Sequence, residues 1–201
     1  VTVGNPLNAK HVMRWVLNTP ANYDFYNLKQ PSDLIYKYSE YFSIRDESEC
    51  KGLLTTTFVD RDVFHDRGQT RSGSAFLVKK NGMKNKIHPE GSIDLSESES
   101  DWYRMSEVLN SVEYFYCYDN ACFWVVIAAL CGCIPIVIPD SDMTAEEWYN
   151  KFPHKRCGVA YGVENLQHAK NTLHLVEQNF AEFQQRQLNT VRNFVSLCDE
   201  L

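Results

Sequence analysis

The chain predicts an α/β fold: a parallel sheet with helices on both faces, plus a short, incomplete N-terminal α/β segment. Three observations carry this. From Ser74 onward, short apolar runs alternate with longer periodic ones, and strands alternating with helices imply parallel pairing. Residues 120–139 hold no charge, and the β-branched Ile134, Ile136, Val137 and Ile138 read as a strand buried on both faces. Hydrophobic residues make up 44% of the 201, enough for a real core.

The elements follow in order. Residues 9–17 (AKHVMRWVL) read as a helix with Asn8 as N-cap, and Asn18-Thr19-Pro20 stops it. Asp33 to Phe42 opens as a strand. Leu53 to Phe58 is a second strand, after the polar loop RDESEC. Residues 59–70 are charged and without period, and read as a linker. Ser74–Val78 is a strand, followed by the basic loop KKNGMKNK. Ile93 is a short strand ending at Asp94. Glu99 to Leu109 is a helix capped by Ser98 or Ser100. Tyr114–Tyr118 is a strand, Ala121–Cys131 a helix and Ile134–Ile138 a strand, with Gly132 at the helix C-cap. Thr144 with Glu147 forms a capping box for a helix to Asn150. Gly158–Tyr161 is a last short strand. Helices follow from Glu164 to Glu177 and from Phe180 to Leu197.

The uncharged run is long enough to span a membrane as one helix. Pro135 and Pro139 would interrupt such a helix, and no cluster of Lys or Arg flanks it. Helix, turn and buried strand is the preferred reading, with no transmembrane span. The first residues, VTVGNPLNAKHVMRW, lack a charged leader and an apolar core, so no secretory signal is expected. The net charge of −6 gives no support to nucleic-acid binding by charge. The seven cysteines read as reduced buried thiols of a cytoplasmic protein. Cys131-Gly132-Cys133 is too tight for a zinc site.

Three features would converge at one sheet edge. Asp119 ends a strand. The following helix N-terminus offers the N–H groups of Asn120, Ala121 and Cys122, a setting that favours phosphate. Lys79, Lys80, Lys84 and Lys86 follow the first strand of this half, and Arg71 precedes it. A carboxylate in that position suits ribose or sugar hydroxyls. Taken singly, the lysines are a solvated loop and Asp119 is a plain helix cap. Together they describe a site for a nucleotide-diphosphate sugar.

On these residues the stretch 71–178 resembles the C-terminal, donor-binding domain of GT-B fold glycosyltransferases, a Rossmann-like domain. Asp119 stands in that family's first acidic place. Ala128-Ala129-Leu130-Cys131-Gly132 and IPIVIP match its closing helix and strand. Residues 158–166 (GVAYGVENL) are similar to its short strand, loop and C-terminal helix. Lys79 and Lys80, with Arg71 as a second partner, fall where the family binds the donor diphosphate. The family's second acid, eight positions on, is here Ile127. A divergent surface-glycan glycosyltransferase of bacteria or large viruses is the implied type.

The resemblance implies transfer of a sugar from a nucleotide-diphosphate sugar to a glycan hydroxyl, without metal or other cofactor. It divides the chain into a truncated acceptor-side segment with linker, residues 1–70, and a donor domain, residues 71–201. Asp119 would orient the sugar, Asp140 would line the donor pocket, and His11 would be the base of an inverting reaction. Gly4, Asn5, Asn8 and Arg14 would face the acceptor. Partners would be the donor, the glycan acceptor and other domains of a multi-domain enzyme, in the cytoplasm or at a membrane surface. Two other readings compete. One is a non-catalytic nucleotide or nucleotide-sugar module, suggested by the missing acid. The other is a flavodoxin-like or response-regulator domain, which would need an acidic pocket or phosphate loop where this chain has lysines.

Overall fold

The computed structural model describes residues 5–18, 30, 32–79, 85–139 and 143–201. Two compact units emerge: Val1–Phe58 with Phe183–Leu201, and Val59–Glu182. The division falls at 58/59, where the sequence suggested residue 70.

The first unit contains three parallel strands in the order β1-β2-β3: β1 (Met13–Val16), β2 (Leu34–Lys37) and β3 (Cys50–Leu53). Val16, Ile35 and Ile44 form its buried cluster, with Phe42 and Cys50 against it. The helix expected over residues 9–17 is corrected: no helix forms there, and residues 13–16 are β1. Arg14 and Val16 are buried while Met13 and Trp15 are half-buried, the two-residue period of a strand. Pairing with β2 overrides the weak helical signal. Asn8 caps nothing; it sits at φ 48° in a turn whose ends Asn5 ties, accepting from Ala9 N–H and donating to Ala9 O. The strand expected at 53–58 lies earlier, at 50–53. Thr55 and Thr57 turn their amides to Thr190 Oγ1 and Gln187 Oε1 instead, so those residues run along a helix rather than a strand.

The second unit is a five-stranded, all-parallel sheet ordered β5-β4-β6-β7-β8. Its strands are β4 (Ser74–Leu77), β5 (Ile93–Asp94), β6 (Tyr114–Cys117), β7 (Ile134–Val137) and β8 (Ala160–Tyr161). Its helices are α1 (Trp102–Ser111), α2 (Trp124–Leu130), α3 (Ala145–Lys151) and α4 (Leu166–Thr172). A long helix, α5 (Val176–Asp199), starts here, and its residues from Phe183 group with the first unit.

Alternation along the strands makes two covered faces. Tyr116, Tyr118, Ile134, Ile136 and Ala160 lie on one, under Ala169, Leu166 and Leu173. Ala75, Leu77, Phe115, Cys117 and Val137 are fully buried on the other. Every residue of α2 is buried as well, which explains the uncharged run: it is helix, turn and strand in the core. Gly132 makes the turn at φ 80°. No helix among the described residues is long and apolar enough to cross a membrane.

At the start of β7 and just past its end, the amides of Ile134 and Ile138 donate to Glu113 and Cys117 on the β6 side. Residues 135, 137 and 139 therefore turn their backbone toward β8, where Gly162 N–H meets Val137 O. Helix α1 starts later than expected and is capped by Asp101, not serine: its carboxylate takes Arg104 N–H. Thr144 and Glu147 form the expected capping box on α3. Residues 59–70 carry no regular element but are tied down. Val59, Val63 and Phe64 are buried, Phe64 packs on Trp102 and Trp124, and Ser106 Oγ donates to Val63 O.

Candidate functional site

The strand order places β4 beside β6 while the intervening β5 lies on the far side of β4. The two crossovers thus leave in opposite directions. In open α/β sheets such a switch point leaves a crevice beyond the carboxyl ends of the strands, where ligands bind. Leu77 and Cys117 are register partners at those ends, so Lys79 and Asp119 follow side by side, each two residues further on.

Lys79 is half-buried and its Nζ lies 3.1 Å from Glu99 Oε2. Burial disfavours its charge, but Cys122, Glu99 and Asp119 outweigh that and lift its pKa above the ordinary lysine value. It stays cationic through the physiological range. Glu99 follows β5 and was not anticipated; the acidic run S-E-S-E-S was its signal, read only as the start of a helix.

Asp119 shapes the turn between β6 and α2. Its Oδ1 accepts Ala121 N–H at 2.8 Å, and its carbonyl accepts Cys122 N–H at 3.2 Å. This is a correction to the expectation of outward-pointing amides: those of Ala121 and Cys122 are spent on Asp119. Helix α2 begins only at Trp124 and is seven residues long, because the chain first winds this side-chain-closed turn. Asp119 does sit just past its strand end, as expected, but as the closer of a turn.

Beneath that turn lies a second unanticipated residue. Lys155, 1% exposed, puts its Nζ 3.2 Å from Asn120 O. The Trp148 indole N–H reaches the same oxygen at 3.2 Å. The ammonium lies 4.3 Å from the centre of the Phe152 ring and 5.6 Å from that of Trp148, contacts that favour a cation. Burial dominates and pulls its pKa down to about 8, against the opposing influence of Cys122, Cys117 and Asp119. The aromatic flanks in WYNKFPHK were the available hint of a buried cation.

On the other side of β6, His88 is buried and stacked on Phe76, ring centres 3.9 Å apart. The Tyr118 hydroxyl accepts Ile87 N–H and lies 2.8 Å from His88 Nδ1. The phenol can both accept the amide and share a hydrogen bond with the ring nitrogen. Burial, with Lys86, depresses the His88 pKa. The Phe76 stack is what buries this histidine. His65 bonds Arg61 O.

Arg71 is not at this edge. Its guanidinium donates to the carbonyls of Leu109, Asn110 and Cys131 and pairs with Asp66. Those carbonyls close α1 and α2 before β6 and β7 begin, at the amino-terminal edge of the sheet. Arg71 is a helix-end cation, and its expected place beside a donor diphosphate at the carboxyl edge is corrected.

The structure therefore gathers Lys79, Asp119, Asn120, Ala121 and Cys122, adds Glu99 and Lys155, and separates Arg71. Lys80, Lys84, Asp140, Asp142 and Gly4 lie outside the described residues. Asn5, Asn8, His11 and Arg14 belong to the first unit. There His11 is exposed, while Arg14 is buried and paired with Asp33 at 2.7 Å. Arg14 thus stands on a strand and makes a salt bridge there. A cavity of about 440 Å³ in the same unit, lined by Tyr36, Lys51, Thr190 and Asn193 among others, holds none of the expected site residues. No group of three or more His, Cys, Asp or Glu that could hold a metal occurs among the described residues.

Compared with models of known protein families, with curated proteins and with solved structures, the chain finds no match in any of the three.

Proposed function

We propose that the second unit binds the diphosphate of a nucleotide sugar at the β4/β6 switch point, and that the chain moves that sugar to a hydroxyl of a glycan. One observation carries the reading: Lys79 and Asp119 stand together past the carboxyl ends of adjacent strands whose crossovers diverge. Lys79 would offset the charge developing on the leaving diphosphate, as a preorganised cation does. Asp119 would accept hydrogen bonds from ribose or sugar hydroxyls through its carboxylate. The resemblance over residues 71–178 supplies the reaction class, since a fold alone does not.

The test is a thermal-shift screen with UDP, GDP, dTDP, ADP and their common sugar conjugates. Binding to the folded state raises its apparent stability by mass action. A selective shift with one diphosphate supports the site and names its base; no shift with any of them removes the support. A second reading, a nucleotide-sugar module without turnover, is favoured by Ile127. It fills the second acidic place with a buried apolar side chain of α2. Binding without release of free sugar or transfer product would select it.

A further inference from the structure

The cavity of about 440 Å³ in the first unit is walled by β2, β3 and the last part of α5. Sites that enclose small molecules have volumes on the order of 300–1,000 Å³. Buried polar groups are ordinarily hydrogen-bonded, and here they are open. Tyr36 is 4% exposed, its ring held edge-on by Phe194 with 5.0 Å between centres. Its hydroxyl nonetheless has no hydrogen-bond partner among the described residues. The Lys51 ammonium and the Asn193 carboxamide, in the same wall, have none among them either. Thr190 differs: its hydroxyl takes Thr55 N–H and donates to Gln187 O.

Two features of β3 open this space. Its register with β2 slips, Ile35 pairing with Cys50 and Tyr36 with Gly52, so that Lys51 is an extra residue. A bulge of this kind re-aims a side chain. Gly52 then leaves the Tyr36 ring uncovered, since a Cβ there would stand 3.7 Å from Tyr36 Cε1. The wall thus offers one ammonium, one phenol and one carboxamide beside Leu53 and Leu197, and no acidic residue lines it. Burial raises the Tyr36 pKa, with Cys198 and Cys50 adding to it, so the phenol keeps a proton to donate. One positive charge with two neutral donors matches a single negative charge; a phosphate dianion would be left half unmatched. The leucines suit a hydrocarbon body.

We propose that this cavity binds a small carboxylate carrying an apolar body, its oxygens held by Lys51 Nζ, Tyr36 Oη and Asn193 Nδ2 and its body against Leu53 and Leu197. Lys51 supplies the charge-assisted contact. Tyr36 supplies a hydrogen bond that its desolvated setting strengthens. The site lies in the first unit and is independent of nucleotide-sugar binding by the second.

The isotope-labelled full chain is titrated with sodium hexanoate and sodium benzoate, and for comparison with hexanol and inorganic phosphate, while backbone amide resonances are followed. Saturable shifts are expected with a carboxylate at residues 51–53 and along α5 from Thr190 to Leu197. Hexanol should bind about tenfold more weakly than hexanoate, for want of the charge. Lys51→Gln should weaken carboxylate binding by about tenfold, and Tyr36→Phe by about fivefold. Both variants should fold, since Lys51 is exposed and the phenylalanine ring keeps its edge on Phe194; their unliganded spectra check this, and Asn193→Ala on an exposed helix position gives a third variant. The absence of saturable shifts with either carboxylate overturns the proposal. So does hexanol or phosphate binding as tightly as hexanoate, a set of shifts centred elsewhere, or unaltered affinity in the variants.

Discussion

The Lys155 ammonium lies 3.2 Å from the carbonyl oxygen of Asn120, inside the protein. It anchors from below the turn that Asp119 closes from above. A buried cation of depressed pKa has a defined effect on stability.

The unfolded chain keeps a lysine protonated to about pH 10.4; the folded chain releases this one near 8. Between those values the unfolded state holds the extra proton, so the contribution of Lys155 to stability rises with pH. Relative to Lys155→Met, the wild type should gain on the order of 3 kcal/mol between pH 7 and pH 10. Urea melts of both proteins across that range test it; parallel pH curves would deny Lys155 its desolvated setting.

Lys79→Ala should weaken binding of a nucleoside diphosphate by about tenfold to a hundredfold, the worth of one charge-assisted contact. Binding of the bare nucleoside should stay nearly unchanged. Titration calorimetry with the diphosphate and the nucleoside separates the two, and equal losses would place Lys79 away from the phosphates.

Asp119→Asn keeps an oxygen to accept Ala121 N–H, so its melting temperature should stay close to that of the wild type. Asp119→Ala loses that acceptor and should cost about 1 kcal/mol, as removal of a side-chain cap does. If the carboxylate also holds donor hydroxyls, both variants lose donor affinity although only one loses stability. Loss of stability alone would make Asp119 purely a turn residue.

Arg71→Ala strips the carbonyls of Leu109, Asn110 and Cys131 of a charged donor. A loss of roughly 2–4 kcal/mol is expected, the usual scale for leaving buried polar groups unpaired. Nucleotide affinity of the folded fraction should be unchanged. A selective loss of diphosphate affinity would return Arg71 to its sequence-based role.

Gly132→Ala should destabilise through two causes. The residue sits at φ 80°, and a Cβ there would meet the Asp66 carboxylate at 2.5 Å and the Arg71 guanidinium at 2.7 Å. Thermal melting should fall, and by less in an Arg71→Ala background, where part of the obstruction is gone.

The second unit was legible because its signals are local. Apolar runs broken by Gly132 and Gly158, and the Thr144–Glu147 box, mark elements wherever the sheet order puts them. The edge shared by Lys79 and Asp119 was legible for the same reason: both follow strands, and parallel strands end on one side. Arg71 shows what was not legible. It precedes a strand, so it belongs to the opposite edge, and that placement follows only once strand direction is assigned. The β1 segment was misread because Val12, Met13, Trp15 and Val16 fit a helical face nearly as well as a strand, and only pairing with β2 decides. Lys155 and His88 were invisible as buried groups because their partners, Asn120 and Tyr118, lie some thirty residues away.

Proline supplies the last consequence. Of the three residues along β7 and just past its end whose backbone turns toward β8, Pro135 and Pro139 have no N–H to give, and only Val137 can donate. β8 can therefore register over little more than the two residues it occupies, and Gly158, just before it, spends its own amide on Thr172 Oγ1. An outermost strand held so short offers a second chain almost no backbone to zip onto. The same two prolines that forbid a membrane-spanning helix thus guard this border of the sheet against edge-to-edge aggregation.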